Sequence, residues 1–348
     1  MKQAWKVGRK KNMINKEEAI SFGEKFLENA KENSDINCIG KNFKLADKIM
    51  KVYADQNTIT GELIFKAFLK SDFIEPHYTI HIWNSSFPSV LPNTTWARVY
   101  IEQNKVIPFQ LTQPYRIFLD DAQGMIYVYN EETKIGAIWL RNQQSLDLRS
   151  FITPFRLMIS WIAQSFNGEV VHASAVTRDN NAFILSGKAG SGKSSMALNL
   201  TLKGFSILSD DAVIISNGNV YAIYNHAKTS KYNKYIKTEG MVTFELPGIV
   251  DSKTIIDLES SFSKNFSQSA RLAKIIYPII AEMSCFQKIS SQTSLKLLAT
   301  NSLREIFGGD LGNLKRLTDI SRKFPAYRLA LSGEMDTDLD QTMNAIND

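Results

Sequence analysis

A glycine-rich loop between an apolar stretch and an amphipathic stretch constrains the fold of this chain more than any other feature. The segment GKAGSGKS, from Gly187 to Ser194, fits the pattern G-x-x-x-x-G-K-[ST]. "AFIL" before it predicts a strand, and "SMALNLTLKG" after it predicts a helix that ends at Gly204. A phosphate-binding loop requires strand, loop and helix in this order. The sequence therefore predicts an α/β domain that binds a nucleotide.

The residue types of the loop suit a bound triphosphate. Glycines let successive backbone N–H groups turn inward around a phosphate, and the helix that follows adds its positive end. Lys193 is predicted to reach the β- and γ-phosphates, and the Ser194 hydroxyl to ligate Mg²⁺. The predicted cofactors are therefore ATP and Mg²⁺, although the loop does not distinguish ATP from GTP. The predicted nucleotide-binding residues are Gly187, Lys188, Ala189, Gly190, Ser191, Gly192, Lys193, Ser194 and Ser195.

Two adjacent carboxylates follow soon after the loop. "FSILSDD" predicts a strand that ends on Asp210 and Asp211, and Asp210 comes 17 residues after Lys193. A parallel strand next to the phosphate strand would bring both carboxylates to the same edge of the sheet. One carboxylate is enough for Mg²⁺, which leaves the other to accept a proton from an attacking hydroxyl.

Upstream of the loop, "VVHASAV" predicts a strand that carries His172. From its spacing alone, a single histidine on a strand is more typical of a packed side chain than of a catalytic one. The other three histidines, His77, His81 and His226, do not form a metal-ligand pattern with it. A metal site built on histidine is therefore not expected.

The remaining segments predict a second, N-terminal domain. Residues 1–150 are interpreted as an α+β domain with helices in residues 15–32 and 41–55, followed by an antiparallel meander over residues 78–141. Residues 151–348 are interpreted as the catalytic domain, opened by a helix in "FITPFRLMISWIAQSFNG". Its last hundred residues predict the strand "AKIIYPIIAEM", the helix "QTSLKLLATNSLREIFGG", the strand "AYRLALS" and the closing helix "DTDLDQTMNAI".

Charge and composition narrow the partners. The net charge of +6 is mild, and part of it lies in the first 11 residues, so a nucleic-acid partner is not expected. The two cysteines, Cys38 and Cys285, lie far apart in sequence, which is typical of a reducing cytoplasm. An apolar stretch long enough to span a membrane is absent from the sequence, so a cytoplasmic protein without membrane association is expected. A homo-oligomer is left open.

His172, the strand "AFILSG", the loop "GKAGSGKSS" and "GFSILSDD" together resemble the core of the HPr kinase/phosphorylase family. A looser similarity to a divergent branch of HPr-kinase-related serine kinases extends to "VYAIYNHAK", "ATNSLREIFGG" and "KFPAYRLALSG". The resemblance implies a phosphoenolpyruvate carboxykinase-like P-loop domain. It does not cover the first 150 residues.

The resemblance also implies a role for each matching residue. Lys193 and Ser194 would hold the triphosphate and Mg²⁺, and Asp211 would help with the metal. Asp210 would be the general base, and His172 would orient or polarise it, which reverses the interpretation from spacing alone. Lys228 would be an additional cation at the transferring phosphoryl group.

Two departures from the family limit the expected activity. Ser195 stands where the bifunctional enzymes of the family place a glutamate, and their arginine-bearing stretch for the reverse reaction is not found. Neither phosphorylase activity nor HPr itself as substrate is therefore expected. The leading hypothesis is an ATP- and Mg²⁺-dependent kinase for a serine or threonine hydroxyl of a peptide or protein. The alternatives are a kinase for a small-molecule hydroxyl and a non-catalytic nucleotide-dependent peptide-binding protein.

Overall fold

The computed structural model describes residues 16–55, 59–84, 107–120, 124–141, 152–230, 236, 239–244, 253–303 and 311–348. These residues form a mixed α/β protein with two large sheets and one small sheet. The basic N-terminal tail, residues 85–106 of the predicted meander and the domain boundary near residue 150 lie outside the described residues.

The first large sheet, called here the N-terminal sheet, has seven strands in the order β1-β2-β3-β7-β6-β5-β4. Helix α1 covers one of its faces, because Phe22, Phe26 and Ala30 pack against Trp83 and Val128. The elements of this part are α1 (Lys16–Asn37), β1 (Ile39–Leu45), β2 (Lys48–Ala54), α2 (Ile59–Ala67), β3 (Tyr78–Asn84), β4 (Ile107–Thr112), β5 (Tyr115–Asp120), β6 (Met125–Asn130) and β7 (Ile135–Leu140).

The helix predicted within residues 41–55 is wrong, because this segment forms the β1–β2 hairpin. Phe43 and Leu45 on β1, and Met50, Val52 and Ala54 on β2, alternate with polar residues and share one buried core. Alternation with a period of two is typical of a strand with one buried face. This alternation was therefore visible in the sequence. The chain reverses at Ala46, whose φ is 58°, and no glycine in the turn marks the reversal.

The antiparallel meander is confirmed for β5, β6 and β7, and β4, which was not predicted as a strand, extends it by pairing with β5. Strand β3 was predicted to belong to it, but β3 runs parallel to both β2 and β7. Strands β2 and β3 can be parallel because helix α2 lies between them in sequence and returns the chain to the end of the sheet where β2 began. The N-terminal sheet is therefore mixed rather than antiparallel.

The second part of the chain begins with α3 and builds the other two sheets. Its elements are α3 (Arg156–Ser165), β8 (Glu169–Val171), β9 (Ala173–Arg178), β10 (Asn181–Ser186), α4 (Lys193–Leu202), β11 (Ser206–Ser209), β12 (Val213–Ser216), β13 (Asn219–Ala222), β14 (His226–Ser230), β15 (Thr243–Phe244), β16 (Lys253–Asp257), α5 (Leu258–Ser261), β17 (Ser269–Ile280), β18 (Cys285–Ile289), α6 (Ser291–Leu303), α7 (Leu311–Lys323), β19 (Ala326–Leu331) and α8 (Met335–Asn347). The predictions that α3, β10, α4, β11, β17, β19 and α8 correspond to are confirmed, and the helix predicted in residues 292–309 is confirmed as far as Leu303. The strand predicted as "VVHASAV" is divided into β8 and β9. The elements that were not individually predicted are β12, β13, β14, β15, β16, α5, β18 and α7.

The second large sheet, called here the central sheet, has helices on both faces. Its strands follow the order β11-β9-β10-β17-β13-β12-β8, and β19 pairs with β17 and β18. Helix α4 contributes Met196 and Leu200 to the core on one face, and α6 and α7 contribute Leu298 and Leu317 to the core on the other. Strand β10 is antiparallel to β9 and parallel to β17, so this sheet is also mixed.

The strand that carries the two aspartates is not next to the phosphate strand, contrary to the prediction. Strand β9 lies between β10 and β11 and is antiparallel to both. Because β10 and β11 therefore run in the same direction, they still end at the same edge of the central sheet. The loop and the two carboxylates therefore lie at the same edge as predicted, but β9 separates the strands that carry them.

One buried cluster contains side chains from both large sheets. It includes Ile138 of the N-terminal sheet, Ile214 of the central sheet, and Met158 and Ile162 of α3 between them. The division into domains 1–150 and 151–348 stays a prediction.

Candidate active site

The phosphate loop has the backbone that its glycines predict. Gly190 and Gly192 have φ values of 80° and 94°, a region that residues with a side chain rarely adopt. Gly192 directly precedes α4, so the first turn of this helix opens onto the loop. A Cβ atom at Gly192 would lie 2.8 Å from Leu331 Cδ1, at the end of β19. The glycine therefore also allows close packing between the loop and the sheet.

The Lys193 ammonium lies at the loop rather than in solvent. Its Nζ donates hydrogen bonds to the carbonyl oxygens of Gly187, at 2.7 Å, and Lys188, at 3.0 Å. Next to it, the Ser191 hydroxyl is buried and has no hydrogen-bond partner among the described residues. A buried cation and an unsatisfied buried hydroxyl in a loop at a helix N-terminus suit an anionic ligand.

Asp210 joins three elements of the site. Its Oδ1 accepts hydrogen bonds from the hydroxyls of Ser174 on β9, at 2.5 Å, and Ser194 on α4, at 2.8 Å. Its Oδ2 accepts one from the backbone N–H of Lys228 on β14, at 3.3 Å. The side chain is buried, so this carboxylate is held by polar groups in a site that excludes most water. The predicted proximity of Asp210 to the phosphate loop is what the structure shows.

Asp211 has a different environment, made of cations. Its Oδ2 lies 2.9 Å from Arg156 Nη2 and 2.9 Å from Lys228 Nζ, and its Oδ1 lies 3.4 Å from His172 Nδ1. Burial by itself would raise the pKa of Asp211, but the charges of Arg156, Lys228 and His172 hold that pKa well below its usual range. Its φ of 69° is unusual for a residue with a side chain, and such strain occurs at functional sites.

His172 occupies a break in the predicted strand "VVHASAV". Strand β8 ends at Val171 and pairs with β12, whereas β9 begins at Ala173 and pairs with β10 and β11. The backbone N–H of His172 donates to Ser302 Oγ, and its Nδ1 donates to the carbonyl oxygen of Asp211 at 2.7 Å. These contacts place Nδ1 of the imidazole against Asp211, and orientation of Asp210 by His172 stays a prediction.

The structure brings together His172, Lys193, Ser194, Asp210, Asp211 and Lys228, all of which were predicted. Arg156 and Ser174 are two further residues of the site that sequence reasoning missed. A single arginine at the start of an otherwise apolar helix, and a serine inside the apolar strand "VVHASAV", were the available signals. Neither signal is specific, because both residue types are common at surfaces.

A metal site made only of protein ligands is not evident in the part of the chain that the structure describes. There, no group of three or more His, Cys, Asp or Glu side chains could hold an ion. A Mg²⁺ ion that is shared with a nucleotide needs fewer protein ligands, and the Ser194–Asp210 pair could supply them. Among the described residues, no helix has the length and apolar character needed to cross a membrane.

Comparisons with known proteins give similarities to solved structures only. No family model matches the chain, and no curated protein matches it. A solved structure, the Hpr(Ser) kinase/phosphatase from Coxiella burnetii, is 14% identical with a TM-score of 0.27. The similarity covers 51% of this chain and 95% of that one. A TM-score this low does not assign a fold or a family.

Proposed function

We propose that this protein is a kinase that transfers the γ-phosphoryl group of ATP, with Mg²⁺, to the hydroxyl of a serine or threonine in a peptide or protein. The observation that carries the proposal is the 2.8 Å hydrogen bond from Ser194 Oγ to Asp210 Oδ1. It joins the first turn after the phosphate loop to a buried carboxylate. Phosphoryl transfer needs these two functions side by side, because the enzyme must position the phosphate and also accept a proton.

The residues of the loop fit a nucleotide. The backbone at Gly190 and Gly192, the Lys193 ammonium and the buried Ser191 hydroxyl form a cradle for phosphate oxygens. A Cβ atom at Gly187 would lie 2.6 Å from Ser191 Oγ, so a side chain there would crowd this hydroxyl. When bound, ATP supplies the phosphoryl group, and Mg²⁺ neutralises part of its charge.

Ser194 and Asp210 are the residues that we assign to the metal side of the site. The Ser194 hydroxyl donates a hydrogen bond to Asp210 Oδ1, which leaves the lone pairs of its oxygen to face a cation. Asp211 was expected to help with the metal, and that stays a prediction. Its Oδ2 already lies 2.9 Å from each of two cationic side chains, which would repel a divalent ion, so we favour a counter-ion role.

Asp210 Oδ2 is the oxygen that we assign to proton transfer. It accepts one hydrogen bond of 3.3 Å, whereas Oδ1 accepts two shorter ones, so Oδ2 retains more capacity for a hydroxyl proton. Burial of Asp210 limits access of water to this oxygen, which favours a bound alcohol over hydrolysis. His172 and Arg156 would fix Asp211, and Lys228 would supply positive charge near the phosphoryl group.

The experiment that tests the proposal is transfer of label from γ-labelled ATP to a peptide. We would incubate the full chain with MgATP and a library of serine- and threonine-containing peptides, and locate any phosphate by mass spectrometry. Phosphoserine or phosphothreonine that appears only with intact enzyme supports the proposal. Nucleotide binding without transfer to peptides, proteins or small alcohols would instead identify a non-catalytic binding protein.

A further inference from the structure

Two cations share one carboxylate oxygen beside the phosphate loop. Arg156 Nη2 and Lys228 Nζ each lie 2.9 Å from Asp211 Oδ2. Asp211 therefore holds two cations with one carboxylate oxygen. The adjacent residue, Asp210, contacts the loop through Ser194, so both cations lie near the proposed phosphate site.

The two cationic side chains differ in how strongly their contacts constrain them. Arg156 opens helix α3, its Nη2 also donates to Thr153 Oγ1 at 2.9 Å, and its side chain is 10% exposed. Its planar guanidinium loses little freedom when it makes several hydrogen bonds. Lys228 carries its ammonium on a flexible four-carbon stem, and its side chain is 17% exposed. Lys228 is therefore the cation that can change partner.

A departure of Lys228 from Asp211 requires that another cation stays. The Asp211 side chain is only 9% exposed, and a buried carboxylate without a cation is strongly unfavourable. Arg156 meets this requirement, because its hydrogen bond to Asp211 does not depend on Lys228.

We propose that Arg156 is a positioning residue that keeps the Asp211 charge neutralised and so frees the Lys228 ammonium to contact the terminal phosphate of a bound nucleoside triphosphate. The inference rests on the proposed nucleotide site, and it adds Arg156 to that site as the residue that holds the Asp211 charge. It makes one distinctive prediction. The contact of Lys228 with the terminal phosphate, and with it a preference for ATP over ADP, should depend on Arg156.

The test measures the affinities of MgATP and MgADP by titration calorimetry, so it needs no acceptor substrate. Wild-type protein should prefer ATP, and Lys228→Met should lower the ATP-to-ADP affinity ratio on the order of tenfold, the scale of one charged hydrogen bond. Arg156→Met should lower the ratio to a similar extent, because Lys228 is then held on Asp211. Arg156→Lys should keep most of the preference.

The decisive variant is the double change Arg156→Met with Asp211→Asn. It removes the buried charge together with its arginine, so Lys228 is no longer retained and the preference for ATP should return. This double variant also tests the inference if the Arg156→Met variant alone does not fold. Arg116→Met is the matched control, because Arg116 is a partly buried arginine that pairs with Glu131 on the N-terminal sheet. That variant should keep the wild-type ratio.

Three results would overturn the inference. They are a wild-type protein that binds ATP without preferring it over ADP, a folded Arg156→Met variant that keeps the preference, and a folded double variant that lacks it. A wild-type protein that binds neither nucleotide would overturn the proposed function as well, and is thereby distinguished from these three.

Discussion

At the scale of single residues, two neighbouring aspartates differ in their surroundings. Asp210 accepts hydrogen bonds from two hydroxyls and one backbone N–H, whereas Asp211 lies among Arg156, Lys228 and His172. The cations beside Asp211 hold the pKa of that carboxyl well below its usual range. Their adjacent positions in the sequence do not distinguish the two aspartates, whereas their contacts do.

The first residue-scale prediction concerns Asp210→Asn. The amide oxygen can still accept from Ser174 and Ser194, so nucleotide affinity should stay within about threefold of the wild-type value. Phosphoryl transfer should fall on the order of 10²-fold or more, because the amide cannot accept the hydroxyl proton. Calorimetry and the labelled-ATP assay measure the two effects separately. The control is Asp179→Asn in an exposed turn, and unchanged transfer in Asp210→Asn would contradict the proposed role.

The second residue-scale prediction concerns two buried histidines and pH. Burial lowers the pKa of His81 and of His226 from the usual 6.5 to about 4, so both are neutral in the folded protein at pH 7. The unfolded chain binds protons more strongly between these values. The two neutral histidines therefore leave the stability of the folded protein undiminished above about pH 6.5, and this stability decreases as the pH falls towards 4.

Urea unfolding at a series of pH values measures this effect. The free energy of unfolding should decrease by up to about 3 kcal/mol for each histidine across this interval. In a variant with His81→Gln and His226→Gln, the slope of stability against pH should be clearly smaller, whatever the stability at pH 7. An equal slope in this variant and the wild type would contradict the prediction.

At the scale of elements, the unit from β10 through the loop and α4 to β11 assembles the site. Strand β10 delivers the loop, α4 presents its first turn to it, and β11 ends where Asp210 begins. Each of these elements was predicted, because each has a strong local pattern of apolar residues and glycines. Helix α7 was not predicted, although Leu314, Leu317 and Ile320 recur at helical spacing and the last two lie in the core, so the signal was present in the sequence.

The prediction at this scale is that Lys193→Ala abolishes detectable ATP binding. The ammonium is the main positive charge of the loop, and the backbone amides alone would bind a triphosphate weakly. Lys203→Ala is the matched control, since Lys203 caps the other end of α4 and is exposed. Calorimetry should show wild-type affinity for that control. ATP affinity in Lys193→Ala equal to that of the wild type would remove the phosphate-loop interpretation.

At the scale of the whole molecule, helix α3 connects the two large sheets. Met158 is fully buried in the shared cluster, and its Sδ would lie 2.8 Å from a Cβ atom at Gly136 on β7. Because side chains of both sheets pack in this cluster, each sheet covers apolar surface that the other leaves exposed. Loss of one sheet should therefore destabilise the other.

The prediction at this scale is that the chain unfolds in one cooperative transition. Met158→Ala should lower the free energy of unfolding by about 2–5 kcal/mol and move that transition as a whole. The control is Met283→Ala, because Met283 is 78% exposed, and its effect should be within about 0.5 kcal/mol. Urea denaturation followed by far-UV circular dichroism and by tryptophan fluorescence measures this. Two separate transitions, with only one affected by Met158→Ala, would support independent domains instead.

The sequence by itself determined the phosphate loop, the α/β character of the second half and the arrival of Asp210 near the loop. These follow from local rules, since glycines permit the loop backbone and periodicity sets strand and helix. Only the tertiary structure decided that β9 separates β10 from β11, that β3 is parallel to its neighbours, and that Arg156 reaches Asp211 from 55 positions away in sequence. Contacts of this kind depend on how whole elements pack, and a local pattern carries no information about which distant side chain will meet a given carboxylate.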